Sequence, residues 1–106
     1  MQYSYGWEKF HSAVLTQAGP GSQAQRLSDA FVFSLSHIRP EENIPEQFRA
    51  DFGVLMIALT QKQAVADDGN AQATIFAMDE FEIRQSISKI IGLYDSICRE
   101  MPKDYY

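Results

Sequence analysis

At 106 residues the chain has room for one hydrophobic core and no second domain. Apolar residues make up 45% and aromatics 12%, too rich a mix for a disordered chain, while the formal charge of −5 argues against direct nucleic-acid binding and against adhesion to an anionic membrane. The single cysteine, Cys98, rules out an intrachain disulfide and a four-cysteine metal site.

From the N terminus, Trp7, Phe10, Ala13, Val14 and Gln17 fall on one side at helical spacing, so a first helix is expected from about Tyr5, with Ser4 as its cap. Gly19-Pro20-Gly21 ends it: Gly19 suits the left-handed position after a helix, and Pro20 cannot continue one. Ser22 and Gln25 form a capping box for a second helix running to Ile38. Its inner stripe is Ala24, Leu27, Ala30, Phe31, Leu35 and Ile38; Val32 and Phe33 lie well off it. Glu41, Glu42 and Asn43 read as a solvated connector, and Pro45 as the first residue of a third helix with Glu46 at its positive end.

Phe48, Phe52, Leu55, Met56 and Leu59 mark the inner face of that third helix. Ala50, Val54, Ile57 and Ala64 form a weaker apolar line on roughly the opposite side, at about 100° per residue. A helix apolar on two sides is either central in its fold or covered by another chain. Residues 66–70 read as a mobile loop. Residues 71–78 are expected to be a short helix: Thr74, Ile75 and Phe76 favour β structure, but no second strand exists to pair with them.

Residues 79–101 carry the strongest pattern in the chain. Asp79 and Glu82 spell a capping box, with Met78 and Ile83 placed as a hydrophobic staple around it. Ile83, Ile87, Ile90, Ile91, Tyr94, Ile97, Cys98 and Met101 recur at spacings of three and four. Glu80 with Arg84 and Asp95 with Arg99 are paired on the outer side, and Pro102 stops the helix. Tyr94 and Cys98 read as core residues with nothing polar gathered around them. The expected fold is all-α, a single helical domain over residues 1–106, arranged as a four-helix antiparallel bundle-like array with one extra short helix before the last. An irregular array whose second and third helices lie on a dimer axis is the alternative.

The chain is poor in recognisable chemistry. Glu8 and His11 form a Glu-x-x-His pair, but a di-iron bundle needs two such pairs, and Ser34 stands where the glutamate partner of His37 would be. Asp67-Asp68-Gly69-Asn70 lacks the glycine and glutamate spacing of a calcium loop. Gly19-Pro20-Gly21-Ser22 lacks the lysine and the preceding strand of a phosphate loop. Arg26, Arg39, Arg49 and Lys62 are interleaved with acidic residues, which cancels a basic stripe. No catalytic residue, metal site or cofactor is assigned. With no basic-then-apolar leader and no apolar run of membrane-spanning length, a cytoplasmic location is expected.

What is left is surplus hydrophobicity. Phe33, Ala50, Val54 and Ile57 are therefore expected to form a surface for a protein partner or for self-association as a homodimer, in a regulatory or accessory subunit. A second reading is an acidic inhibitor or nucleic-acid mimic using Asp67, Asp68, Asp79, Glu80 and Glu82. A third is a small-ligand carrier or enzyme with a pocket lined by His11, His37 or Cys98. The stretch GWEKFHSAVLTQAGPGSQAQRL, residues 6–27, resembles a small uncharacterised bacterial protein family. The resemblance implies a bacterial origin and a helical fold, and no function.

Overall fold

A computed structural model describes residues 3–63 and 69–102, and among these every regular element is helical. Six α-helices follow one another: α1 (Ser4–Thr16), α2 (Gln23–Phe33), α3 (Pro40–Asn43), α4 (Arg49–Leu59), α5 (Asn70–Phe76) and α6 (Glu80–Arg99). Short 3₁₀ turns at Leu35–His37 and Glu46–Phe48 link α2 to α3 and α3 to α4. Among the described residues, no helix is long and apolar enough to cross a membrane.

α6 is the helix on which the others assemble, packing against α1, α4 and α2. Its start is built as the local sequence dictates. The Glu82 amide donates to Asp79 Oδ1 at 2.8 Å, and the Asp79 amide donates to Glu82 Oε1 at 3.1 Å, so two otherwise orphaned N–H groups are satisfied reciprocally. Ile83, Ile90, Leu93 and Ile97 are buried. The stripe is narrower and differently centred than periodicity alone predicts. Leu93 belongs to it, while Ile91 is 46% exposed, because three helices approach α6 and fix which arc is covered. On the outer side Arg99 pairs with Asp95 at 3.0 Å, whereas Glu80 and Arg84 form no ion pair with each other.

The N-terminal half departs from expectation at its punctuation. Tyr3, not Ser4, occupies the cap position of α1. Gly21 is the residue with positive φ, at 92°, so the left-handed turn after α1 is made there and not at Gly19. Ser22 caps α2, its Oγ accepting from the Gln25 amide at 3.1 Å, but the box is half formed, because the Gln25 side chain turns to Asp29 Oδ1 at 2.8 Å. α2 stops at Phe33 instead of reaching Ile38. Leu35 and Ile38 still reach the core, through the 3₁₀ turn that follows.

The connector expected at Glu41–Asn43 is a helical turn, α3, begun by Pro40. It persists because it is held from both sides. Asn43 Oδ1 accepts from the Arg39 amide at 2.7 Å. The Arg49 guanidinium donates through Nε to the carbonyls of Pro40 and Ile44, both at 2.9 Å, and through Nη2 to that of Glu41 at 3.1 Å. Pro45 precedes the 3₁₀ turn leading into α4 and does not start a long helix. On the other side of α3, the buried Gly6 lets α1 approach the backbone of Asn43 directly.

The core is one cluster drawing on every α-helix except α3, whose following residue Ile44 contributes instead. Phe10 of α1 meets Phe52 of α4 edge to face, with ring centroids 5.9 Å apart. α5 is helical as expected, burying Ala71, Thr74 and Ile75 toward α2 and α4. The Thr74 hydroxyl donates to the Asn70 carbonyl at 2.7 Å and accepts from the Lys62 amide at 2.8 Å, tying α5 to the segment that leaves α4.

Candidate functional site

α4 buries Phe52, Leu55 and Leu59 and presents its second apolar line outward. Val54 is 58% exposed, Ile57 66% exposed, and Ala50 is exposed as well. The fourth member of the line, Ala64, lies outside the described residues. The helix is thus apolar on two sides, with one of them open. Gly53 stands on the open side too, and a Cβ built there would meet nothing within 4 Å.

Along one flank of this face runs a groove between α4 and α6. Its widest part, about 480 Å³, is lined by Asp51, Val54, Lys89, Gly92, Leu93 and Ser96. Smaller depressions continue it past Ala58 and Glu82 toward Met78. Asp51 and Lys89 form no ion pair with each other or with any other described residue. Gly92 keeps the α6 wall low, since a Cβ there would also meet nothing within 4 Å.

Phe33, at the end of α2, is 68% exposed, and Val32 beside it 44%. α2 packs mainly on α1 and α5, and α4 mainly on α6. Phe76 of α5 and Phe81 of α6 are exposed at 49% and 66% and were not singled out from the sequence. The signal for Phe81 was present: it falls on the side of α6 away from Ile83, Ile90 and Ile97.

A second constellation contradicts the expectation that Tyr94 and Cys98 have nothing polar around them. At the seam of α1 and α6, the Trp7 indole Nε1–H donates to Cys98 Sγ at 3.2 Å. His11 Nδ1 and the Tyr94 hydroxyl share a hydrogen bond of 2.8 Å. The Trp7 and His11 rings stack with centroids 4.8 Å apart and planes 13° from parallel. Periodicity located each of the four on its own helix, but the pairing is long-range. His11 is thereby turned to Tyr94, and Glu8, its partner in the Glu-x-x-His pair, is exposed on α1. Among the described residues no three His, Cys, Asp or Glu side chains are grouped so as to hold a metal ion.

The groove of α4 and α6 is lined by none of His11, His37 and Cys98, the residues a pocket would need to line to favour the ligand-carrier or enzyme reading. Of the acidic residues grouped as a mimic surface, Asp79 and Glu82 are occupied in capping α6, and Asp67 and Asp68 lie outside the described residues. Arg49, a candidate for a basic stripe, is committed to backbone carbonyls. Comparison with models of known families, with curated proteins and with solved structures finds no match to the chain.

Proposed function

We propose that the protein is a regulatory or accessory protein–protein interaction module of the cytoplasm, working through the outward face of α4. One observation carries this: a line of apolar side chains on a helix already fully packed on its other side, with Val54 and Ile57 more than half exposed. Leaving such side chains in water forgoes about 1–2 kcal/mol each, scaled from the burial of a whole aliphatic side chain. An exposed apolar face beside a groove is what a docking surface requires. The scaffold behind it is read as an antiparallel bundle-like array of α1, α2, α4 and α6, with α3 and α5 as additions.

A photo-cross-linking residue placed at position 57 in the native host tests the reading. Cross-linked species are expected from position 57 and not from position 8, where Glu8 is exposed on α1. Equal yields from the two positions, or none from either, would overturn it.

A further inference from the structure

Resting on the reading of α4 as an interaction face, we propose that its occupant is a second copy of this chain. The two α4 helices run antiparallel about a two-fold axis that passes between residues 53 and 54. Three observations lead there.

The first is the order of sizes along the face. Ala50 and Gly53 are small, Val54 and Ile57 large, and all four share the outward side of α4. A two-fold interface must be complementary to itself. In the antiparallel register Ala50 lies opposite the partner's Ile57 and Ile57 opposite its Ala50, while Val54, on the groove flank, packs on the partner's Val54, and Gly53, on the other flank, on its Gly53. A parallel pair would set Ile57 on the partner's Ile57 and Ala50 on its Ala50, bump against bump and void against void.

The second is charge. Asp51 and Lys89 line the same groove, on the same flank of the face, with no ion-pair partner among the described residues. An antiparallel two-fold brings that flank against its own copy, so Asp51 faces the partner's Lys89, and the pair forms twice. A parallel arrangement would carry the two charges to opposite flanks. The third is Gly53 itself. A glycine inside a helix weakens it, and among the described residues no neighbour needs the missing Cβ, since nothing lies within 4 Å of it. Close approach of a partner's helix is a reason for it.

Sedimentation of the wild type from about 1 μM to about 0.5 mM should show a reversible monomer–dimer equilibrium. Asp51→Lys or Lys89→Asp alone turns two attractions into two repulsions and should raise the dissociation constant about 10-fold at low salt. The double swap should restore it to within about 3-fold of the wild type. In a Cys98→Ser background, mixed Ala50→Cys and Ile57→Cys chains should form a disulfide-linked dimer, and Ala50→Cys alone should not. Ile57→Glu should be monomeric with its helical circular dichroism intact, which separates lost association from lost folding.

A wild type that stays monomeric throughout overturns the proposal. So does a double swap that fails to recover association, and so does ready self-cross-linking of Ala50→Cys. If the wild type is monomeric but position 57 cross-links to a different protein, the second copy is wrong and the interaction face stands. If position 57 cross-links to nothing, both fall.

Discussion

Gly6→Ala and Gly92→Ala make the same chemical change inside two helices, and the packing assigns them opposite signs. Alanine is favoured over glycine in a helix by about 0.5–1 kcal/mol, because it loses less backbone freedom on folding. At Gly92 a Cβ meets nothing within 4 Å, so that gain is undiminished and should raise the melting temperature by about 2–6 °C for a domain of this size. At Gly6 the same Cβ overlaps the carbonyl oxygen of Asn43, with the Asn43 carbonyl carbon at 3.0 Å and its Cβ at 3.3 Å. The obstacle is backbone, and it cannot move freely: Asn43 is tied to Arg39 through its side chain, and α3 to α4 through Arg49. Overpacking of this kind costs about 1–3 kcal/mol, more than the helical gain, so Gly6→Ala should lose about 1–2 kcal/mol net. Thermal and urea unfolding followed by circular dichroism, at a concentration where the protein is monomeric, measures both. A Gly6→Ala variant as stable as the wild type would refute the close approach of α1 and α3. A destabilised Gly92→Ala monomer would show that residue 92 is covered within the chain.

The remaining expectations concern single interactions. Asp79→Ala removes one side of the α6 capping box and should lower stability by about 1 kcal/mol in urea unfolding. Arg49→Lys keeps the charge but loses the fork that reaches three carbonyls, so a loss of about 1–3 kcal/mol is expected, measured the same way. Asp95→Asn should leave stability within about 0.5 kcal/mol of the wild type, since the Arg99–Asp95 pair is 77% and 60% exposed. Cys98→Ala removes the acceptor of the Trp7 indole and should change the emission of the chain's one tryptophan, while Ile57→Glu should not.

The parts of the fold legible in the sequence were those governed by near neighbours in the chain. The α6 cap needs only Asp79 and Glu82, three residues apart, and α5 needs only the lack of a strand partner. α3 was illegible for the opposite reason. Glu41-Glu42-Asn43 has no apolar stripe, and what makes it helical is an arginine on the next helix together with Gly6 on the first. Ile91 and Leu93 were exchanged because periodicity gives the direction of a stripe but not the helices that will approach it. For the candidate site, Val54, Ile57 and Phe33 could be found as residues off their stripes. Lys89 and Gly92 could not, since they matter only where α6 comes alongside α4.

The clasp between Trp7 and Cys98 spans 91 positions of the chain. At ribosomal speeds of about 5–20 residues per second, the indole is made roughly 5–18 s before the thiol it will bond. Through most of that interval α1 has no α6 to lie against, so its Trp7 and His11 side is without the helix that covers it. Locking of the first helix therefore waits until residue 98 is made, and a ribosome that stalls before it holds a chain that lacks this clasp.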